Sequence, residues 1–565
     1  LLTGGRRTAL PRQRTLRALV DWSYDLLSID ERVALMAVST FAGGFTLAAA
    51  EEVCDASRLG EMSVLDAIER LIAKSLVVAE HDHGGDTRYR LLETIRQYGA
   101  EKLVDAGTAD TMRQRHFAYF RALAERAEPE LRKANVLEWL DRLEADHDNL
   151  RAALDWAADA DAKGYARLAG SLHEFWDIRG HFVEGHERLE RALALHPALD
   201  TARVQALLGA GALAYRLDRR DHSATLLEAA TALARRLSDT RREAEAIVWL
   251  GGALDSTGAD FIESVAEKAL TLSRSIDNAW GIGFAVFHFA IANHLRGQLD
   301  DAERLFLESA AHFDRGGCVL RAALARTWAG QCAIDRLDFD GARELLEGAL
   351  AEHLRLGNVH DAATTRRALG KLRLNVGRLH DARSESEEST RIFRALQDPH
   401  CGARSTIVLA EVLHALGDDS LALEHLEQST AVLARLGFDH NRAIAQWLAG
   451  RCHESLGDHR AARQAYLEAL HCINRTSVTS PVPGMIEALA GAHPGAPFAP
   501  RLLGFAAAMR KAANLSALPS DESDRQRWIA AVQRVHRDRF ESEFATGRSM
   551  TRDDAIAAAR ALATA

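Results

Sequence analysis

Residues 336–350 read RLDFDGARELLEGAL, and the stretch has four companions: RGQLDDAERLFLESA (296–310), NVGRLHDARSESEES (375–389), ALGDDSLALEHLEQS (415–429) and SLGDHRAARQAYLEA (455–469). In each, a turn residue is followed five positions later by alanine: Gly297/Ala302, Leu337/Ala342, Gly377/Ala382, Gly417/Ala422 and Gly457/Ala462. Successive copies lie 40 residues apart, and looser ones stand upstream near Gly180, Asp218 and Thr257. Glycine tolerates positive φ where one helix reverses into the next. The alanine lets the second helix come close to the first, and apolar residues then recur at helical spacing, as in Leu345, Leu346 and Leu350. One such pair cannot bury its own apolar face, so neighbours must stack into a superhelix with a concave surface.

Composition agrees with a helical chain. Its 565 residues suffice for several cores, 47% are hydrophobic, and only 10 are proline. The net charge of −10 excludes a global pull toward nucleic acid. Cys54, Cys318, Cys332, Cys401, Cys452 and Cys472 are scattered with no CxxC, as expected of reduced, mostly buried thiols in a cytoplasmic protein. The most apolar window, GIGFAVFHFAIANHL (281–295), is shorter than the roughly 20 residues of a membrane span. It carries His288 and Asn293 and reads as a buried helix, so no membrane partner is expected.

Residues 28–105 follow a different grammar. Ser28-Ile-Asp-Glu31 is a capping box, Thr46 stands ready to cap TLAAAEEVC, and Ser63 caps a helix that sets Leu65, Ile68, Leu71 and Ile72 on one face. LVVAE and RYRLLET, around the polar turn HDHGGD, predict a β-hairpin, and the helix ETIRQYGAEKL follows. Three helices with a hairpin make a winged helix. Its candidate recognition helix, VLDAIERLIAKSLV, offers only Arg70 and Lys74 against Asp66 and Glu69, a poor set for reading bases. Direct DNA binding by this helix is therefore not expected.

The repeats resemble tetratricopeptide repeats in a longer, forty-residue form. The strings LPRQRTLRALVDWSYDLLS, FAGGFTLAAAEEVC, RYRLLETIRQYGAEKL and DHDNLRAALDWA resemble bacterial signal-transduction ATPases of the NB-ARC/STAND class, often called predicted ATPases or LuxR-family and AfsR-like transcriptional regulators. The resemblance implies the order P-loop NTPase domain, winged helix, repeats. It places a nucleotide-binding domain before residue 1 and makes the arginine-rich opening, with Arg6, Arg7, Arg12, Arg14 and Arg17, a connector to that domain. ATP or ADP would belong to that domain. The chain itself has no GxxxxGK followed by Ser or Thr, so neither catalysis nor a cofactor is expected of it. Gly4-Gly5 and Gly370-Lys371 read as turn glycines. In many relatives a Met-His-Asp motif senses bound diphosphate; its counterpart here is Leu91-Leu92-Glu93, so Leu92 and Glu93 are the candidate interdomain or nucleotide-sensing residues. A plainer reading makes Leu91 and Leu92 core and gives Glu93 a local cap or ion pair.

Residues 106–160 form a helical junction. Its Asp146-His147-Asp148 cluster is a weak metal candidate, because adjacent helical side chains diverge; no metal site is expected. Half of the prolines fall between Pro481 and Pro500. The expected organisation is a connector (1–27), a winged helix (28–105), the junction (106–160), tetratricopeptide-like repeats (161–475), a Pro-rich linker (476–500) and a C-terminal helical module (501–565). The fold is thus nearly all-α: a winged-helix module, an α-solenoid and a helical cap. The function expected is the sensor arm of a STAND-type regulator, with a protein or small effector in the repeat groove. The alternative is a stand-alone repeat scaffold for protein partners.

Overall fold

The computed structural model describes residues 11–54, 59–81, 87–254, 258–476, 478 and 480–562. The chain forms two compact units, residues 1–131, 135–175 and 188–198 in one, and 132–134, 176–187 and 199–565 in the other. The opening glycines Gly4-Gly5, Arg6 and Arg7, the hairpin turn after His81 and the turn residue Thr257 lie outside the described residues.

The first unit begins with α1 (Pro11–Asp25), α2 (Ile29–Val38), β1 (Gly44–Thr46), α3 (Leu47–Val53), α4 (Val64–Ala73), β2 (Val78–His81), β3 (Thr87–Arg90) and α5 (Glu93–Asp105). Ser28 and Glu31 close a capping box on α2, Ser63 and Asp66 close another on α4, and the Thr46 hydroxyl accepts from Ala49 N–H. These caps satisfy N–H groups that a helix start leaves orphaned. The expected hairpin gains a third strand, in antiparallel order β1-β3-β2, with Phe45 opposite Tyr89. Phe45 stacks on Phe41 at 4.6 Å, and both are fully buried. The buried face of α4 is Val64, Ala67, Ile68 and Leu71. Leu65, expected on that face, is exposed, because the 100° step of a helix carries it beyond the stripe that faces α2.

Next come α6 (Ala109–Glu130), α7 (Val136–Ala145) and α8 (His147–Ala160). The string DHDNL at the start of α8 is a clasp on the winged helix. Asn149 donates to the Gly44 carbonyl and accepts from Ala42 N–H, both at 2.8 Å. Arg88 donates to the Asp146 carboxylate at 2.7 Å and to the Gly44 and Ala145 carbonyls at 3.0 Å. His147 instead packs edge-on to Phe175, and Asp148 pairs with Arg151.

Helix pairs then follow: α9 (Ala162–Arg179) with α10 (Phe182–Leu195), α11 (Thr201–Arg216) with α12 (Arg220–Arg236), α13 (Thr240–Ala253) with α14 (Ala259–Ser275), and α15 (Ala279–Leu295) with α16 (Leu299–Arg315). The array continues with α17 (Val319–Asp335) and α18 (Phe339–Arg355), α19 (Val359–Asn375) and α20 (Leu379–Ala395), α21 (Pro399–Ala415) and α22 (Asp419–Leu436), and α23 (Asp439–Ser455) and α24 (His459–Ile473). The periodic turn residues adopt the left-handed conformation, with φ of 76° at Gly297, 77° at Gly377, 87° at Gly417 and 79° at Gly457. Leu337 does the same at φ 67° without glycine's freedom. The paired alanines, Ala302, Ala342, Ala382, Ala422 and Ala462, are all fully buried.

Gly370 departs from its expected role. It lies inside α19, not in a turn, and a Cβ there would meet Ser386 Oγ at 2.5 Å. The same close approach brings Gly330 to Leu346 and Gly450 to Tyr466, so these glycines set helix spacing within a pair.

The superhelix closes on itself. Arg321 on α17 and Arg216 on α11 both donate to Asp177 near the end of α9, 144 and 39 residues away. The Asp218 carboxylate accepts from His400 N–H at 2.8 Å, across 182 residues.

Beyond the repeats stand α25 (Val482–Ala492), α26 (Ala499–Ala512), α27 (Pro519–Gly547) and α28 (Arg552–Ala561). Residues 476–500, expected as a Pro-rich linker, hold α25, whose Met485, Ile486 and Leu489 are fully buried. Helices α26 and α27 cross backbone to backbone at Gly504 and Gly547, where no side chain would fit. None of the described helices is long and apolar enough to cross a membrane; α15, the most apolar, is a buried repeat helix.

Candidate functional site

Each front-module candidate has a defined place. Leu91 is buried, while Leu92 is 50% exposed at the N-cap of α5, so only one of the two leucines expected in the core is there. Glu93 opens α5 and accepts from Arg96 and Gln97. The Arg96 guanidinium holds its carboxyl down at about 2. The solvent face of α4 presents Leu65, Asp66, Glu69 and Arg70, and Lys74 is tied to Glu31 at 2.5 Å. Leu19, Trp22, Leu26 and Ile29 form an exposed apolar run along α1 and the start of α2, with Trp22 64% exposed.

The largest concentration of chemistry lies inside the superhelix. The first helices of successive pairs, from α11 to α23, line a partly open cavity of about 340 Å³. With the 40-residue register in hand, its lining falls into columns. His360, His400 and His440 share one column; Leu324, Thr364 and Arg404 share another; Phe287 and Arg367 belong to a third. Sequence reasoning pointed to this groove but named none of these side chains, although reading the columns set by the glycines would have lifted out the histidines.

One end of the cavity is a matched ion network. Arg216 donates to Asp177 at 2.6 and 3.2 Å, and Arg321 donates at 2.9 Å. Burial opposes the charge on Asp177, but the two arginines outweigh it and hold its carboxyl at about 2. His360 lies between Asp361 at 3.1 Å and Asp398 at 3.0 Å. Burial and Arg216 push its imidazole down, and the two carboxylates more than reverse this, raising it well above its ordinary value. Three carboxylates therefore face two arginines and an imidazolium. His360, Asp398 and Cys401 also bring donor atoms within 4.8 Å of one another, a spacing that could hold a metal. Arg216, 3.4 Å from His360 Nδ1, makes the surroundings hostile to a cation.

The other end is unmatched. Arg367 is 8% exposed, its Nη1 has no hydrogen-bond partner, and burial together with the like charge of Arg404 pulls it down to about 9. The Arg404 guanidinium lies 5.9 Å from the centre of the Trp328 ring. His440, half-buried with Nδ1 unpartnered, is pushed down to about 3 by burial and Arg404. His294 is pushed to about 4 by the same two causes. The aromatic wall comprises Trp249, Phe284, Phe287, Trp328 and Phe438. His400 stacks on Phe438 at 3.7 Å.

One turn further along the same helices, the inner surface is covered by the chain itself. Arg451 donates to Asp521 and Asp524 at 2.7 Å and to the Ser520 carbonyl at 2.8 Å. Lys371 pairs with Glu411 at 2.5 Å, and the Ser520 hydroxyl donates to the same carboxylate. Trp528 donates its indole N–H to Glu454 at 2.8 Å. The start of α27 thus crosses α19, α21 and α23.

Comparison with known proteins gives a consistent picture. Residues 27–104 match the family model of a winged helix-turn-helix domain, and residues 403–472 that of a tetratricopeptide repeat. A Mycobacterium tuberculosis protein named as an HTH-type transcriptional regulator, Rv0890c, is 30% identical over 99% of this chain and 68% of its own length. Its Mycobacterium bovis counterpart, Mb0914c, matches to the same extent. Among solved structures, a Rap protein complexed with competence and sporulation factor aligns over 63% of this chain and 96% of its own, with a TM-score of 0.43 and 15% identity. A STAND protein with a tetratricopeptide-repeat sensor from Pyrococcus horikoshii aligns over 96% and 68%, with a TM-score of 0.32 and 12% identity. The winged helix, the repeat array and the match with the mycobacterial proteins over 99% of this chain make it a member of the family of those HTH-type transcriptional regulators.

Proposed function

We propose that the chain is the effector-sensing arm of a STAND-type regulator. The carrying observation is the cavity inside the repeats, lined by inward-turned charged and aromatic side chains that suit the recognition of a guest. The winged helix serves as a relay. Its α4 face carries two acids and one free arginine, which does not suit base reading, and Asp146 and Asn149 lock its sheet to α8. The exposed run Leu19, Trp22, Leu26 and Ile29 is the surface offered to a nucleotide-binding domain. In this reading nucleotide and catalysis belong to that domain, Leu92 and Glu93 face it, and the chain works in the cytoplasm.

The test uses the purified chain alone and the same chain joined to a P-loop domain. Alone, it should neither hydrolyse ATP nor retard duplex DNA. Joined, its ATP turnover should respond to Trp328→Ala in the cavity and to Trp22→Glu on α1. Sub-micromolar DNA retardation by the chain alone, lost in Arg70→Ala, would sink the relay reading.

A further inference from the structure

We infer that the cavity receives an anionic group, a carboxylate or a phosphate, between Arg367 and Arg404, with an apolar or aromatic part of the same ligand against Trp328 and Phe287. The inference rests on the reading of the superhelix as an effector-binding arm and specifies the chemistry of its guest.

A buried cation without a counter-ion is expensive, and native proteins pair such groups or use them. Arg367 is the clear case: more than nine-tenths buried, lining the cavity, with Nη1 unsatisfied and only the weak acceptor Cys401 as a hydrogen-bonding neighbour. Among charged neighbours the strongest influence on it is another cation, Arg404, and Asp398, the carboxylate that also acts on it, is paired with His360. The cavity's own carboxylates are committed elsewhere: Asp361 to His360, and Asp439 to Arg442 and Arg475. The acids that α27 brings inward, Asp521 and Asp524, go to Arg451. His440 adds a further ring nitrogen without a partner. A planar guanidinium presents paired N–H donors that match the oxygens of a carboxylate or phosphate, so the missing partner is an anion with two or more oxygens.

The rest of the wall fixes the other part of the guest. Trp328 stands beside Arg404, its ring 6.2 Å from Phe287 and 6.3 Å from His294. An apolar or aromatic body would lie there, while the volume of about 340 Å³ suits a small molecule or the end of a peptide.

Three probes separate the possibilities: phenyl phosphate, 3-phenylpropionate and the neutral 3-phenylpropionamide, followed by tryptophan fluorescence and melting temperature on the full chain. At least one anion should bind about tenfold or more tighter than the amide. The tighter of the two anions identifies the phosphate or the carboxylate as the natural chemistry. Arg367→Met should melt at or above the parent temperature without probe, because an unpaired buried charge has gone, and should lose the anion response. Arg391→Gln, on an exposed guanidinium, should change neither. An amide that binds as tightly as the anions, unaffected by Arg367→Met, overturns the anion site while keeping an effector cavity. An Arg367→Met chain that melts lower yet keeps its anion response makes Arg367 structural and overturns it too. If no probe, charged or neutral, binds the parent chain, both the inference and the sensing reading fall.

Discussion

Arg367 on α19 and Arg451 on α23 line the inner surface of the array, on the first helices of pairs two repeats apart, and they meet opposite fates. Arg451 is enclosed by Asp521, Asp524 and the Ser520 carbonyl, all carried in by α27. Arg367 is also buried, and what the chain offers it is another arginine, a thiol and a carboxylate, Asp398, already paired with His360. The two positions show that a solenoid's inner face is not one surface. Where the chain folds back on itself charge is matched and the contact is structural; where it does not, charge is left for a guest.

The largest effect should come from breaking the matched side. Asp177→Ala leaves Arg216 and Arg321 buried without their counter-ion and should cost about 3–5 kcal/mol in urea unfolding. A loss well under that would mean that Asp361 can take over both arginines, and the contrast between matched and unmatched regions would blur. Arg451→Ala removes the anchor of α27 and should cost about 2 kcal/mol. Chymotrypsin should then cut faster after Leu515, just ahead of α27; unchanged cleavage would show that Trp528 and the α26–α27 crossing hold the helix alone.

Acid should sharpen the contrast further. His294 and His440 take up a proton near 6.5 when unfolded but only near about 4 and about 3 in the cavity. The unfolded chain thus binds more protons between these values, so their contribution is complete above pH 6.5 and declines as the pH falls toward 4. His360 has the opposite sign: its raised value contributes below its unfolded pKa and is lost only as the pH rises through the folded one. A melting temperature that drops between pH 6.5 and 4, less steeply with a cavity anion present, fits this account; a flat profile does not. The smallest effect belongs to the register itself. Leu337→Gly relieves a left-handed backbone at φ 67° and should change stability by about 1 kcal/mol or less, toward stabilisation.

Much of the fold was legible because it is local. Capping boxes at Ser28 and Ser63 and the glycine–alanine pairs act within a few residues of themselves, so their effect can be read from spacing. The third strand β1 was missed because three residues, GFT, carry too little pattern, and their pairing partner lies 44 residues on. Gly370 looked like a turn because glycine usually marks one. Only the helix packed against it, through Ser386, shows that the residue exists to let two backbones close up. The linker expected at 476–500 failed for a related reason: proline density marks breaks, but here the prolines bracket a buried helix.

By itself the sequence determined the repeating unit, its 40-residue period and the winged helix ahead of it, since propensity, turn geometry and apolar spacing all act over one or two helices. Tertiary structure decided which inward charges find partners. Asp177 reaches Arg321 across 144 residues, Asp218 reaches His400 across 182, and α27 returns from 70 residues downstream to Arg451. Those distances are set by the curvature that many small repeat-to-repeat rotations accumulate, and no single repeat encodes it.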